Sequence, residues 1–244
     1  MSLVGRGVVL TRPRELAEPF ARLLERRGAR PIIFPAIEIQ PLQAPKALSR
    51  LRDYDLAIFI SPSAVRIAQG MQPPWPPRLA AAVGAGTRRE LERAGARTVI
   101  APTTGADSEA LLALPEMHNL RSKRVLIVRG EGGRELLAES LTARGAVVEH
   151  AVCYRRVKPT ADAAPLIGAW RRGEVDALAV WSAQALDNFA ALTGDELIAA
   201  LPIFVPHERI ASHARSRGAQ EVVVAGAGED RLLERLVAYF DARD

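Results

Sequence analysis

The sequence predicts an α/β protein of two similar lobes, each a parallel sheet of the flavodoxin-like or Rossmann-like kind with helices on both faces. Short apolar runs alternate with longer amphipathic stretches along the 244 residues, which is the pattern of strands alternating with helices. The runs are continuously apolar, as in buried parallel strands. The first strand–helix unit also occurs twice, because Arg12 and Arg129, like Gly28 and Gly145, lie 117 positions apart in matching segments. A duplicated unit implies two lobes with a cleft between them.

The elements follow one another in a regular order. Strands are predicted at 8–11, 31–34, 56–60, 80–83, 98–100, 124–128, 147–152, 176–181, 202–205 and 221–224. Helices are predicted at 14–27, 62–69, 87–94, 108–114, 134–143, 161–171, 184–192, 209–217 and 229–240. In the first helix, Leu16, Phe20 and Leu23 fall on one apolar stripe. Gly95 and Gly218 each follow a helix, and we expect both in the left-handed conformation that ends helices.

Two segments break this alternation. Residues 35–42 and 152–159 are extended and equivalent in the repeat, since Ile37 and Tyr154 are 117 positions apart. They predict two strands that pass between the lobes.

Composition limits the class of protein. A length of 244 residues fits two domains of ~100–150 residues each, and 48% apolar with 25% charged residues is ordinary for a globular protein. The sequence has no apolar run near the ~20 residues of a membrane span and no signal-peptide core at its start. Cys153 is the only cysteine, which excludes a disulfide framework. We therefore expect a soluble, cytoplasmic protein.

The net charge of +5 comes mainly from arginine, since all but three of the 33 basic side chains are arginines. Two interpretations stay open. A biased genome gives an arginine-rich surface, whereas the forked guanidinium also suits carboxylate or phosphate ligands. Nucleic acid is a weaker alternative, because the basic pairs are scattered and aromatic residues make up only 5% of the chain.

A glycine-rich turn between a predicted strand and a predicted helix contains Gly130, Gly132, Gly133 and Arg134, next to Arg129. Free backbone N–H groups at the start of a helix bind anions, and glycine lets the ligand come close. The turn lacks the Gly-Lys-Ser/Thr of a P-loop. The alternative is a tight turn without a ligand.

A second glycine turn, at Gly84 and Gly86 before Thr87, also opens a predicted helix. Arg89 stands where a dinucleotide fingerprint needs its third glycine, so a nicotinamide or flavin cofactor is not expected. Residues 226–228 fail in the same way and predict only a loop. Gly84 and Thr87 either contact a ligand or merely start a helix.

Ser61, Ser63 and Ser182 follow predicted strands, and parallel sheets bind ligands at the carboxyl ends of strands. The alternative is that these serines cap the next helices, and one residue can serve both purposes. Residues 103–109 are interpreted mainly as a capped helix start. The histidines have no ligand spacing and no G-x-S-x-G elbow occurs, so neither a metal site nor a hydrolase triad is predicted.

Tyr154 is the candidate for chemistry. It lies in an extended segment beside Arg155 and Arg156. A phenol near cations can donate a proton or a hydrogen bond to a leaving group. The alternative is an amphipathic side chain at a lobe boundary.

Six segments together resemble the uroporphyrinogen-III synthases over nearly the whole chain. They are 10–14, 59–66, 82–87, 107–112, 124–134 and 152–156. The most specific are Arg-Gly-Glu-Gly-Gly-Arg at 129–134 and Tyr-Arg-Arg at 154–156. The segment 206–211 departs from the family, since Pro-His-Glu-Arg-Ile-Ala replaces a threonine-containing turn. A threonine contact is lost there, and Arg209 is the candidate to replace it.

The resemblance implies two α/β lobes joined by a two-stranded ladder. Domain 1 would comprise 1–36 plus 159–244, domain 2 would comprise 43–151, and the connecting strands would lie at 37–42 and 152–158. It also implies a monomeric hydro-lyase without cofactor, in which hydroxymethylbilane loses water and closes to uroporphyrinogen III while its terminal pyrrole ring is inverted. This is a step of heme synthesis. The eight carboxylates of the substrate accord with the arginines and helix N-termini.

By position, Tyr154 matches the tyrosine proposed in the family to assist loss of the hydroxyl group, which leaves a cationic azafulvene. A spiro intermediate then carries the inversion, held in a cleft that excludes water. The expected substrate-binding residues are Arg12, Ser61, Ser63, Gly84, Thr87, Arg129, Gly130, Gly132, Gly133, Arg134, Ser182 and Arg209.

Two other classes of function compete with this enzyme. One is a two-lobed binding protein that closes around an acidic small molecule without chemistry. The other is a nucleic-acid binder, which salt-sensitive retention on DNA would support. For the enzyme we expect hand-over of the bilane from the preceding, bilane-forming enzyme, and neither nucleic acid nor membrane as a partner.

Overall fold

The computed structural model describes residues 3–105, 107–133 and 135–243. The chain divides into two compact units: the first contains the residues up to 38 and from 157 onward, and the second contains residues 39–156. Within the described ranges, no helix has the length and apolarity that crossing a membrane would require. Strands are numbered β1–β11 and helices α1–α10 in chain order.

The described part of the first unit contains a five-stranded parallel sheet. Its strands are β1 (Gly7–Leu10), β2 (Arg30–Ile33), β9 (Ala177–Ala179), β10 (Ile203–Val205) and β11 (Val222–Val224). Its helices are α1 (Arg14–Glu25), α6 (Ala164–Arg171), α7 (Ala183–Thr193), α8 (Glu196–Ala200), α9 (Glu208–Ser216) and α10 (Glu229–Asp241). The strand order is β11-β10-β9-β1-β2, with every neighbouring pair parallel.

One core cluster of the first unit lies between this sheet and the helices α1 and α10. Phe20 and Leu24 of α1 are fully buried with Leu10 of β1, and Leu236 of α10 joins the same cluster. Phe20 belongs to the apolar stripe that predicted the first helix, so α1 is positioned by the apolar face it buries.

The described part of the second unit contains a six-stranded sheet in the order β3-β8-β7-β4-β5-β6. The strands are β3 (Glu38–Pro41), β4 (Leu56–Phe59), β5 (Ala80–Ala82), β6 (Val99–Ile100), β7 (Arg124–Gly130) and β8 (Val147–Val157). The α-helices are α2 (Pro62–Gly70), α3 (Ala85–Arg93), α4 (Ser108–Leu112) and α5 (Leu136–Ala143), and 3₁₀ helices span Lys46–Asp53 and Pro115–Met117.

The central strands of the second unit are covered on both faces. Ala57 and Phe59 of β4 belong to one apolar cluster, whereas Leu56 and Ile58 belong to another. Successive side chains of a strand point to opposite faces, so a continuous apolar run requires two cores. The predicted α/β class with buried parallel strands is therefore confirmed.

The predicted repeat is visible in the strand pairing. Gly7 of β1 pairs with Arg30 of β2, and Arg124 of β7 pairs with Val147 of β8, so both partners shift by the same 117 positions. Gly95 and Gly218 have φ values of +91° and +94°, which confirms the left-handed position after each helix.

Two parts of the structure differ from the predicted elements. Helix α8 and both 3₁₀ helices were not predicted, because their apolar stretches are too short to show a helical period. Strand β8 runs through Val157 instead of ending at 152, and the Leu42 N–H donates to the Cys153 carbonyl at 2.9 Å beside it. The segments predicted as connectors thus join the sheet of the second unit, and their role as an inter-lobe ladder stays a prediction.

Candidate functional site

Each sheet has one place where the direction of winding reverses. In the second unit this place lies between β4 and β7, and in the first unit between β1 and β9. Doubly wound sheets bind ligands in the crevice outside the carboxyl ends of such strands. The residues that follow these strand ends include Ser61 and the glycine turn in the second unit, and Arg12 and Ser182 in the first. Most of the predicted site residues therefore gather at the two switch points.

Tyr154 lies on β8 with its side chain in the core of the second unit, 1% exposed. Its hydroxyl oxygen is 2.9 Å from Ser61 Oγ. The expected cations lie elsewhere: Arg155 and Arg156 are exposed, and Arg155 Nε donates to Gln40 Oε1 at 2.6 Å. Adjacent residues of a strand face opposite ways, so the prediction that Arg155 sits beside the phenol is wrong.

Ser61 caps helix α2 and contacts the phenol with the same oxygen. Its Oγ accepts a hydrogen bond from the Ala64 N–H at 3.0 Å. The residue remains partly exposed, unlike Tyr154. The capping interpretation is therefore confirmed, and the same hydroxyl group also links the phenol to the surface of the unit.

Arg129 is a buried cation, 6% exposed, whose donors point to the glycine turn and to Glu135. It donates to Glu135 Oε1 at 2.7 Å, to the Gly130 carbonyl at 3.4 Å and to the Gly132 carbonyl. The Nδ1 atom of His150 lies 3.5 Å from the same guanidinium. Arg129 therefore holds the turn in shape with the donors that were predicted to bind substrate.

These contacts fix the direction of the peptide groups in the turn. In a trans peptide the carbonyl and the next N–H point opposite ways. Gly130 C=O faces Arg129, and accordingly the Glu131 N–H donates outward to the Tyr154 carbonyl at 2.7 Å. Gly132 C=O also faces Arg129, so the N–H of Gly133 is directed away from the cation, at an exposed residue.

Two glycines of the turn lie against the buried side chains. A Cβ atom at Gly130 would be 2.5 Å from Tyr154 Cε2, and one at Gly133 would be 3.1 Å from an Arg129 nitrogen. Gly133 also has a φ of +99°, which side-chain-bearing residues rarely adopt. The turn is thus packed between the phenol and the guanidinium.

A cavity of about 200 Å³ opens at these strand ends. It is lined by Ile60 after β4, Val83 after β5 and Arg129 of β7, together with Gly133 and Ser108. Asp107 also lines it and caps α4 by accepting from the Ala110 N–H at 2.8 Å. The interpretation of residues 103–109 as a capped helix start is therefore confirmed.

In the first unit, Arg12 lies at the switch point between β1 and β9. Its guanidinium donates to Glu229 Oε1 at 2.6 Å and lies 4.9 Å from the centre of the Trp181 ring. Ser182 caps α7 by accepting from the Ala185 N–H at 3.1 Å. A carboxylate ligand of Arg12 would have to replace or share the contact with Glu229.

The remaining predicted residues are more dispersed. Ser63 and Thr87 are buried in the first turns of α2 and α3, and Gly84 precedes α3. Arg209 is exposed on α9, after β10. Arg134 lies outside the described residues. Among the side chains that are described, no group of three or more His, Cys, Asp or Glu is placed to hold a metal ion.

A comparison with known protein families identifies the family of this chain. The family model described as "Uroporphyrinogen-III synthase HemD" matches residues 18–234. The chain belongs to this family.

Relatives of the same name cover nearly all of it. The chain is 34% identical over 245 residues to the uroporphyrinogen-III synthase of Escherichia coli (strain K12), and 35% identical over 246 residues to that of Salmonella typhimurium (strain LT2). Each match covers 94% of this chain and 99% of the relative. The solved uroporphyrinogen-III synthetase of Helicobacter pylori 26695 matches with a TM-score of 0.63 at 13% identity, over 96% of this chain and 99% of that one, which shows a shared fold.

Glu135, His150, Trp181 and Glu229 complete the two switch points, and none of them was predicted. Glu135 had a signal in its sequence position, since it is an acidic residue six positions after Arg129. His150 had none, because it meets Arg129 only through the pairing of β7 with β8. Sequence spacing does not reveal partners that are brought together by a neighbouring strand.

Proposed function

We propose that this chain catalyses the cyclisation of hydroxymethylbilane to uroporphyrinogen III, with loss of water and inversion of the terminal pyrrole ring. The observation that carries the proposal is the family match over residues 18–234. Two relatives covered over 99% of their length bear the same name, which favours an enzyme of tetrapyrrole synthesis over a binding protein without chemistry.

The direct test uses freshly prepared hydroxymethylbilane. We expect formation of the type III isomer in excess over the type I isomer, which arises by closure without inversion. A control without protein measures the spontaneous reaction. Product of type I alone, at the spontaneous rate, would overturn the proposal.

Tyr154 is the proposed proton donor for loss of the hydroxyl group. Its phenol has a defined hydrogen-bond partner in Ser61, and the surrounding core excludes water from the ring. Protonation of the leaving oxygen lowers the barrier to the cationic azafulvene. The proton returns to the protein when the closing pyrrole carbon loses its hydrogen, so no external acid is consumed.

The glycine turn is the proposed carboxylate site of the second unit. The N–H of Gly133 is directed away from Arg129 at an exposed position, before the N-terminus of α5. Backbone N–H groups and the helix dipole both favour a negative charge there. Arg129 supports this site as a positioning residue, because its own donors are directed to Gly130, Gly132 and Glu135.

In the first unit we propose that Arg12, Ser182 and Arg209 meet other carboxylates of the substrate. Arg12 has a planar fork of donors that suits a carboxylate, and it already donates to the carboxylate of Glu229 at 2.6 Å. Arg209 lies after the carboxyl end of β10 and is exposed. Ser63, Gly84 and Thr87 contribute through the starts of α2 and α3.

The arrangement of lobes that we propose for catalysis is the one that the family resemblance implies. Two lobes, 1–36 plus 159–244 and 43–151, are joined by strands at 37–42 and 152–158 and close around the bilane. The bilane is received from the preceding enzyme in the cytoplasm. Scattering profiles with and without product test the closure, and a profile that does not change would contradict it.

A further inference from the structure

We propose that Ser61 is the residue that hands the proton to the departing hydroxyl group, with the phenol of Tyr154 as the donor behind it. This inference rests on the proposed cyclisation and deepens it, because it places a second hydroxyl group between Tyr154 and the substrate. Four arguments support it: the burial of the phenol, the number of hydrogen bonds at Ser61, the polarisation of the Ser61 O–H group by these bonds, and the comparison of the two units.

The burial of Tyr154 separates its phenol from any ligand. The residue is 1% exposed and packs in the core cluster of the second unit, under Gly130. Ser61 lies 2.9 Å away, at the end of β4 and the start of α2, and is partly exposed. A proton that leaves the phenol along this hydrogen bond reaches Ser61 before it reaches a ligand.

The hydrogen bonds at Ser61 fix the direction of transfer. A hydroxyl group has one donor and two acceptor sites, and the Ala64 N–H occupies one acceptor site at 3.0 Å. If Tyr154 donates to the second acceptor site, Ser61 keeps its own proton for the exposed side. If Ser61 instead donated to Tyr154, the phenolic proton would have no acceptor in the apolar core, and buried donors are seldom left unpaired.

This assignment also makes Ser61 a better donor. Two hydrogen bonds that enter the same oxygen polarise its O–H group. In the reaction, the C–O bond of the hydroxymethyl group breaks and its electron pair stays on oxygen, which takes the Ser61 proton and leaves as water. Ser61 takes the Tyr154 proton in the same step, and the pyrrole nitrogen supplies the electrons of the azafulvenium. The proton lost on ring closure restores the phenol.

Because the strand–helix unit is duplicated, Ser61 of the second unit can be compared with Ser182 of the first. Ser182 caps α7 as Ser61 caps α2, with the Ala185 N–H at 3.1 Å from its Oγ. The position equivalent to Tyr154 in the first unit is Ile37, 117 residues earlier, which has no hydroxyl group. The serine cap is common to both units, whereas the phenol behind it belongs to the second unit.

Kinetics of four variants test the relay: Ser61→Gly, Ser61→Thr, Tyr154→Phe, and Ser61→Gly combined with Tyr154→Phe. Glycine is tolerated at helix N-caps, so Ser61→Gly removes the hydroxyl group at little loss of helix stability. We expect Ser61→Gly and Tyr154→Phe each to lower kcat by about 10²-fold, a usual contribution of a general acid, with KM nearly unchanged. Two groups in one relay act in series, so the double variant falls no further than the slower single variant.

Ser61→Thr keeps both the cap and the hydroxyl group, and we expect its kcat to stay within a few-fold of the wild type. Melting curves of Ser61→Gly and Ser182→Gly calibrate the loss of an equivalent cap. If the glycine variant does not fold, Ser61→Asn gives the same comparison, because an asparagine oxygen caps a helix without supplying a hydroxyl group. A Ser61→Gly enzyme with wild-type kcat, or one with only a raised KM, overturns the relay. If Tyr154→Phe is slow in that case, the proposed role of Tyr154 survives. If all variants keep full activity, both proposals are lost.

Discussion

The ring of Tyr154 fills the space that any side chain at position 130 would need. A Cβ atom at Gly130 would lie 2.6 Å from Cζ of the phenol, a distance that real Cβ contacts do not show. The backbone register also joins the two residues, since Gly130 pairs with Tyr154 at an irregularity between β7 and β8. The candidate acid and the glycine turn therefore form one packed assembly, and a change in either must displace the other.

Gly130→Ala should displace the phenol and weaken both stability and activity. Overpacking of a filled site costs roughly 1–3 kcal/mol, and we expect about 2 kcal/mol in urea unfolding together with a lower kcat. Gly70→Ala is the matched control, because a Cβ atom there meets nothing within 4 Å. Equal stability of the two variants would show that the ring of Tyr154 moves without cost.

Arg129→Lys should loosen the glycine turn. A lysine ammonium is a point charge on a flexible stem and does not reproduce the fork that joins the Gly130 and Gly132 carbonyls to Glu135. We expect a loss of about 2 kcal/mol in unfolding free energy and a KM raised about tenfold, as for a lost buried hydrogen bond of a charged group. Arg88→Lys, in the exposed pair with Glu92, is the control and should change neither. A normal KM for Arg129→Lys would exclude the positioning role.

Glu229→Gln should lower KM if Arg12 binds a substrate carboxylate. Glu229 holds the guanidinium at 2.6 Å, so the neutral amide competes less with an incoming anion. We expect KM to fall by about two- to fivefold with kcat unchanged, since this interaction forms in both the ground state and the transition state. Glu234→Gln on the same helix, in the exposed pair with Arg231, serves as control. A raised KM would mean that Glu229 orients Arg12 instead of competing for it.

The stability of the protein should fall between pH 10 and pH 12. Burial and the hydrogen bond to Glu149 raise the pKa of Tyr54 from 10.0 to about 12. Because the folded pKa lies above the unfolded value, this contribution is complete below pH 10 and is lost as the pH rises towards 12. The loss is about 3 kcal/mol at most for this one group. Tyr54→Phe should flatten the pH dependence of unfolding in that window, and an unchanged slope would contradict the assignment.

The repeat was the most informative part of the sequence for the fold. The spacing of 117 positions predicted two related strand–helix–strand units, and the pairing of Gly7 with Arg30 and of Arg124 with Val147 repeats that spacing. Apolar runs located the strands because a buried parallel strand needs apolar side chains on both faces. Short elements such as α8 escaped prediction, since five residues do not display a helical period.

Most of the predicted site residues lie at the switch points of the two sheets, but their side-chain orientations differ from those that the sequence predicts. Arg129 was predicted to bind substrate because it is a cation beside a glycine turn, yet its donors are directed to Gly132 and Glu135 of the protein itself. Tyr154 was expected among cations and lies in an apolar core. In both cases the side-chain direction depends on the strand register and on a bulge, which the residue types do not specify.

The first unit is assembled from both ends of the chain, and this has a consequence for biosynthesis. Val8 of β1 pairs with Ala177 of β9, which the ribosome adds only after residues 39–156. The middle of the nascent polypeptide can therefore complete its sheet while β1 still lacks one neighbour. An unpaired strand edge is a template for association with other chains, so the nascent chain is most open to association before residues 177–179 have been made.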